Sequence, residues 1–293
     1  MTKTNKQINL HDFKSNIYSQ SGEDGIIKKI LETIEVQKSK EFVEFGAHDG
    51  KTNSNCFNLL EEEDYFGLFI EPDKKRFQKL NLNTQNMNCK NINSLVSTKG
   101  STSLESTLKK NNISKNFDIL SIDIDGYDYQ IFKSLVSYKP KIVIVEYNPT
   151  IPNHVEYIQP DNFKTRHGSS PKSLIMLGKQ KGYKPIAITD TNLFLLQDEI
   201  FGVSNFCELD LEESRDDEDI KINVFYGYNG DLIFTENEIN FRWHFLKYKS
   251  KKLQPIPFFF RELLEDYSLL KNIVYKFYIF NRRLIAKIKR YLD

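Results

Sequence analysis

At 293 residues, 39% hydrophobic and 28% charged, the chain has the composition of a globular protein with room for one large domain or a domain with an appendage. A net charge of +1 makes no global case for nucleic acid, so no nucleic-acid partner is expected. Cys56, Cys89 and Cys207 are too scattered for a disulfide framework or a zinc site, and no run approaches the ~18 apolar residues of a membrane span. With a polar, signal-free N-terminus, these features give the expectation of a cytoplasmic protein.

Residues 1–18 read as polar and irregular. Ser19-Gln-Ser-Gly-Glu-Asp-Gly25 precedes a helical pattern with Ile26, Ile27, Ile30, Leu31 and Ile34 on one face; Ser21 and Asp24 mark its start. Gln20 and Glu23 either serve that helix start or reach a ligand. Next, Glu41-Phe-Val-Glu-Phe-Gly-Ala-His-Asp-Gly50 reads as a buried strand ending in a glycine turn, with Glu44 just before Gly46. A helix over 53–63 follows, then a strand over 65–71 that ends in Glu71 and is stopped by Pro72. A carboxylate 25 residues past Gly46 stands about where nucleotide-binding units hold ribose hydroxyls.

The pattern continues with a helix over 73–83, a strand near 89–93, and a Thr102/Glu105 capping box. A strand over 117–126 ends in Asp123-Ile-Asp-Gly126, a helix spans 127–138, and a strand over 141–148 ends in polar residues, among them Glu146 and Asn148. The near-continuous apolar runs at 119–124 and 142–145 suit central parallel strands covered on both faces. Residues 149–168 are too long and polar for a plain connection and read as a lid or substrate loop. A helix over 170–182 and two strands hinged at Asp190, which must be antiparallel, complete the pattern. The fold class expected is α/β: a Rossmann-like, doubly wound, mostly parallel seven-stranded sheet with a C-terminal antiparallel hairpin strand, the profile of class I methyltransferases.

Glu208 to Asp219 carries eight acids and one arginine and reads as an exposed linker. Beyond it, a small hairpin is expected around Asn229-Gly230, and helices over 236–250 and 258–292. The division expected is therefore 1–205 as the catalytic domain and 206–293 as linker and mostly helical extension. The basic, aromatic stretch 269–292 either packs on its own domain or a second subunit, giving a homo-oligomer, or touches an anionic membrane peripherally.

Four strands thus end in acids at one sheet edge: Glu44, Glu71, Asp123 with Asp125, and Glu146. Buried carboxylates are costly unless paired or bound to a ligand, which points to a functional edge. A dinucleotide dehydrogenase would require G-x-G-x-x-G, and only Gly46 and Gly50 are present. A metal-dependent glycosyltransferase could use Asp123-Ile-Asp125 as a D-x-D motif. An interaction module on the same fold is disfavoured by the intact acids. S-adenosylmethionine (SAM) fits best, since Glu44 to Gly50 is an E-x-G-x-G-x-G pattern with its middle glycine replaced by His48.

The motifs Ser19-Gln-Ser-Gly-Glu-Asp24, Phe42 to Gly50, Phe69-Ile-Glu-Pro72, Asp118 to Gly126, Val145-Glu-Tyr-Asn148, Gly182-Tyr183 and Asn192-Leu-Phe194 resemble those of FkbM-type SAM-dependent methyltransferases, most closely a surface-polysaccharide subgroup. The resemblance covers roughly 16–200. It implies that Glu44 and Gly46 border the methionine part of SAM, that Glu71 binds the ribose hydroxyls, that the segment around Asn93 and Ser94 flanks adenine, and that Asp123 lies beside the sulfonium. Gln20, Ala47, Gly50 and Pro72 are further candidate cofactor-binding residues. Asp125 stands where the broader family has glutamate. The implied activity is O-methylation of a small-molecule or glycan acceptor. Asp125 and Glu146 are its candidate catalytic acids, His154 is the candidate base in a metal-free site, and Asp125, Glu146 and Asn148 form a candidate Mg²⁺ or Mn²⁺ site. Arg166 and His167 before Gly168-Ser-Ser170 are a further candidate, as an anion site at a helix start.

Overall fold

The computed structural model describes residues 7–34, 38–62, 64–235, 238–241 and 244–292. Two compact units divide at 220/221, so the boundary expected after residue 205 falls inside the first.

The first unit is built on strands β1 (Glu41–Phe45), β2 (Phe66–Ile70), β3 (Cys89–Ile92), β4 (Ile119–Ile122), β5 (Ile142–Glu146), β6 (Tyr183–Ile188) and β7 (Asn192–Gln197). They form one sheet in the order β3-β2-β1-β4-β5-β7-β6, with β7 antiparallel to both neighbours and the other pairings parallel. This is the Rossmann-like class I methyltransferase arrangement. Successive residues on a strand face opposite sides, and here both sides are apolar. Phe42, Ile119, Ile142 and Phe194 pack with α1 (Glu23–Thr33), α2 (Phe57–Glu62) and α3 (Lys74–Asn83). Val43, Leu120, Val143 and Leu195 pack with α4 (Leu104–Lys110), α5 (Asp128–Ser134) and α6 (Pro171–Gln180).

Several local expectations change. The α4 N-cap is Ser103, whose hydroxyl accepts from Ser106 N, while Glu105 instead accepts from the amides of Val136 and Ser137. The α5 helix ends at Ser134, short of the expected 138. Asp24 does not cap α1 but gathers the backbone amides of Ile17, Tyr18 and Ser19 onto one carboxylate oxygen. At the N-terminus, Ile8 pairs with Phe206 through Ile8 N to Asn205 O (2.7 Å) and Cys207 N to Ile8 O (3.0 Å).

The acidic stretch is not a free linker. The short helix α7 (Asp198–Phe201) precedes it and α8 (Leu211–Ser214) lies within it, and it packs back on the rest of the first unit. Arg215 donates to Pro149 O (2.6 Å) and Ile151 O (3.1 Å) and lies over the Tyr147 ring, and buried Asp217 accepts from Asn153 N (2.7 Å).

In the second unit, β8 (Val224–Tyr226) and β9 (Leu232–Phe234) form the hairpin expected around Asn229-Gly230. Residues 236–250, expected as helix, instead supply the antiparallel pair β10 (Glu238–Phe241) and β11 (Leu246–Lys249). Their alternating Ile239/Phe241 and Leu246/Tyr248 carry a period of two, which overrides helix propensity once the strands pair. Among the described residues of this unit α-helix occurs at α9 (Leu269–Leu292), with short 3-10 turns at Ser250–Leu253, Phe258–Phe260 and Leu264–Asp266 before it.

Candidate functional site

The acid-tipped ends of β1, β2 and β4 meet at a cavity of about 710 Å³ at the C-terminal edge of the sheet, and the β5 acid Glu146 is not among its lining residues; the volume is within the range of small-ligand sites. One wall is the turn after β1. Gly46 has φ +66°, and a Cβ there would sit 1.6 Å from Asp123 O, so only glycine lets β1 run this close to the end of β4. His48 stands in for a glycine in conformation as well as in position, with φ +52°. The backbone path of the turn is thereby kept although the residue type departs from the pattern. Gly50 (φ +77°) does not line the cavity; a Cβ there would lie 2.3 Å from Leu80 Cδ1, so it seats the turn on α3.

Glu44 is almost fully enclosed. Its oxygens accept from Ser54 Oγ (2.8 Å), Asn55 N (3.2 Å) and Cys56 N (3.2 Å), which fixes the approach to α2. Burial pushes its carboxyl up to about 7, against those three bonds. Glu71, also buried, accepts from His48 N (2.9 Å) and Asp73 N (2.7 Å), which ties the β1 and β2 turns together. Each of its oxygens keeps lone-pair capacity toward the cavity it lines. Asn93 donates to Glu71 O and Pro72 O (2.8 and 3.1 Å) from outside the cavity; the wall there is Ser94, Leu95 and Val96, facing Ile70, Pro72, Asp73 and Arg76. Gln20 and Ala47 line it too. Glu23 does not, being bound to Thr189 Oγ1 (2.6 Å) and Asn192 Nδ2 (3.1 Å) at the β6–β7 turn.

The opposite wall is the end of β4. Asp123, Asp125 and Glu146 bring a carboxylate oxygen each to within 4.8 Å of one another. Asp123 hydrogen-bonds Glu146, and the Asp125 amide donates to Glu146 Oε2 (3.2 Å). Burial, and then the neighbouring negative charge, raise Asp123 to about 6 and Glu146 well above the carboxylate range. The two carboxyls therefore titrate as a pair, above the ordinary carboxylate range. Asp123 and Asp125 face the cavity, and Glu146 stands behind Asp123.

Asp128 escaped the sequence reading. Fully buried at the first position of α5, it accepts from Ile124 N (2.9 Å) and Gly126 N (2.8 Å) and so shapes the turn that presents Asp123 and Asp125. Burial and the Asp123 charge raise it to about 7. Its signal was the spacing Asp123-x-Asp-x-x-Asp128 at a strand-to-helix junction, where a carboxylate at a helix start meets free amides.

Two more expected residues lie off the cavity, and one expected anion site is filled by the chain itself. His154 is exposed and off the cavity, and Lys172 Nζ donates to its carbonyl (3.2 Å). Asn148 spends its amide on His167 O and its oxygen on Thr150 N and Oγ1, which locks the start of the lid loop. The third carboxylate of the acid cluster is Asp123. The anion site expected at 166–170 is filled from within, since Gln159 Oε1 takes the amides of His167 (2.7 Å) and Gly168 (2.9 Å). The 149–168 loop does line the cavity, through Phe163, whose ring packs at a tilt on Tyr127 with centroids 4.9 Å apart, and Arg166, whose guanidinium lies 3.8 Å from Asp125.

With this geometry in hand, residues 97–185 match the Methyltransferase FkbM domain family. That span holds Asp123, Asp125, Glu146 and the lid loop but neither the β1 turn nor Glu71. No curated protein matches the chain. Among solved structures, it is similar to the citrinin polyketide synthase CMeT domain (10% identity, TM-score 0.40, covering 60% of this chain and 51% of that one). It is also similar to the N-terminal domain of EvdMO1 with SAH bound (10%, 0.39, 62% and 80%) and to a SAM dependent methyltransferase from Aquifex aeolicus (9%, 0.35, 58% and 87%). The chain thus spans about half the length of the first of these. At such scores the fold rests on the strand order above.

Proposed function

We propose that the protein is a SAM-dependent O-methyltransferase acting on a hydroxyl of a sugar or sugar-linked acceptor in cell-surface polysaccharide biosynthesis, on the cytoplasmic side. One observation carries the methyltransferase reading. A single cavity joins the β1 glycine turn, the β2 acid and the β4 acids Asp123 and Asp125, with Glu146 behind Asp123, and the FkbM match contains those three carboxylates. The sugar acceptor is supported by the motif resemblance.

The residues fit SAM. Ile70, Leu95 and Val96 offer an apolar slot for adenine, Glu71 offers acceptors to the ribose hydroxyls, and Asp123 offers negative charge to a cationic centre. When bound, SAM supplies an electrophilic methyl group. The chain itself must hold the acceptor hydroxyl in line and at contact distance, which accounts for much of the acceleration in such a displacement. Asp125 and Arg166, at the cavity mouth, orient polar groups of the acceptor. Asp123, backed by Glu146, takes the hydroxyl proton, and a pair that titrates above the ordinary carboxylate range suits that task. Phe163 and the lid exclude water.

Calorimetry tests the core claim: SAM and S-adenosylhomocysteine (SAH) should both bind, and absence of both would refute it. Glu146→Gln should keep SAM binding yet slow transfer by roughly 10²–10⁴-fold.

The three clustered carboxylates favour one second reading, a divalent cation held by Asp123, Asp125 and Glu146. In that case Mg²⁺ or Mn²⁺ raises the melting temperature and Asp125→Asn abolishes the rise. A nucleotide sugar stabilising the protein where SAM does not would instead indicate a metal-dependent glycosyltransferase using Asp123-Ile-Asp125.

A further inference from the structure

The α9 helix concentrates charge and apolar surface in a way the rest of the chain does not. It holds seven Lys and Arg and no Asp or Glu, which leaves 34 basic against 40 acidic residues elsewhere. A chain of net charge +1 is therefore a helix of +7 on a body of −6.

The two faces of α9 have different fates. Tyr275 and Tyr278 pack on Phe260 (5.4 and 5.2 Å), and Lys271 turns inward to Glu262. The other face is bare. Leu269, Leu270, Ile273, Val274, Phe277, Phe280, Leu284, Ile285 and Ile288 are between 45% and 82% exposed. At 3.6 residues per turn they cover an arc of roughly 160°. Lys276, Arg283 and Lys287 lie along one margin of that arc and Arg282 along the other, all exposed.

We infer that α9 lies in the plane of an anionic lipid surface, with this arc in the acyl boundary and the marginal cations among headgroups. The inference stands apart from the methyltransferase reading. A broad apolar arc bordered by cations is the pattern of interfacial helices. No helix among the described residues is long and apolar enough to cross a membrane. A second copy is the weaker occupant, because its α9 would bring +7 against +7 and a broad, aromatic-rich face where a helix pair wants a narrow seam. Anionic lipid supplies the complementary charge.

Co-sedimentation of the full-length protein with vesicles tests the inference. Binding is expected to phosphatidylcholine vesicles containing phosphatidylglycerol, to fall steeply with added salt, and to be far weaker on phosphatidylcholine alone. Lys276→Glu/Arg283→Glu/Lys287→Glu should weaken partitioning on the order of a hundredfold. Phe277→Ser/Phe280→Ser, which keeps the charge, should also weaken it, while circular dichroism shows α9 still folded and calorimetry shows SAM affinity unchanged. Equal binding to neutral and anionic vesicles would overturn the proposal. So would absence of binding to either, including the case in which sedimentation velocity shows α9-dependent self-association instead.

Discussion

Single residues at the sheet edge differ sharply in what they tolerate. Gly46 has a carbonyl 1.6 Å from where a Cβ would stand and a positive φ, so Gly46→Ala should lose more than about 2 kcal/mol in urea denaturation. His48 shares the left-handed backbone but is half exposed. That conformation costs a side chain about 1–2 kcal/mol, partly offset by the extra unfolded-state entropy of glycine. His48→Gly should therefore gain roughly 0.5–1 kcal/mol; a loss would mean that the imidazole makes a contact worth more than the strain. Glu44 gives a pH-dependent outcome. Its carboxyl is raised from 4.5 to about 7, so the native state holds a proton that the unfolded state has released. Its contribution is present in full below about 4.5 and is lost as pH rises through 7, on the order of 3 kcal/mol. Glu44→Gln removes this dependence. The variant should gain stability relative to the parent in urea melts on going from acid to mildly alkaline pH, and parallel curves would show that Glu44 titrates normally.

At the scale of elements, the lid loop is anchored at its root by the stretch that composition presents as a linker. Arg215 holds the carbonyls of Pro149 and Ile151, and Asp217 holds the Asn153 amide. Arg215→Met keeps the stem over Tyr147 but removes the fork. It should raise the rate of proteolytic nicking within 149–168 and raise the acceptor KM, with little change in SAM affinity; nicking at the parental rate would show that the loop holds itself. The same contacts mark what sequence could and could not convey. The central strands were legible because apolar runs covered on both faces leave one architecture, and the acids at their ends followed by position. Arg215 and Asp217 were hidden because eight acids read as a solvated run, and nothing local shows that two side chains reach 64 to 66 residues back. His154 and Asn148 were misplaced for a related reason. Proximity along the chain to β5 puts them near the site, but the direction a loop side chain takes is set by what satisfies its polar atoms, and Asn148 finds Thr150 and His167. The β10–β11 pair was missed because two four-residue strands carry too short an alternation to outweigh helix-forming composition.

For the whole first unit, the decisive quantity is the number of negative charges gathered at one edge. Burial raises Glu44 to about 7, Asp123 to about 6, Asp128 to about 7 and Glu146 well above the usual range, with neighbouring carboxylates adding to all four. Near neutrality the empty edge therefore carries protons that the unfolded chain does not. Stability from these groups is greatest below their unfolded values near 4 and drains away as pH climbs through 6–7. A cation placed at this edge favours the ionised acids, so its binding must expel protons, and its affinity must rise across the same window. SAM carries a sulfonium and SAH a neutral thioether, and the two are otherwise alike, so their affinity ratio isolates this effect. Calorimetry between about pH 5.5 and about pH 8 should show the ratio shifting toward SAM on the order of tenfold, with SAM releasing more protons than SAH in buffers of different ionisation enthalpy. A flat ratio with equal proton release would place the methyl-bearing sulfur away from Asp123 and Glu146, and would remove that pair from the chemistry even if both ligands bind.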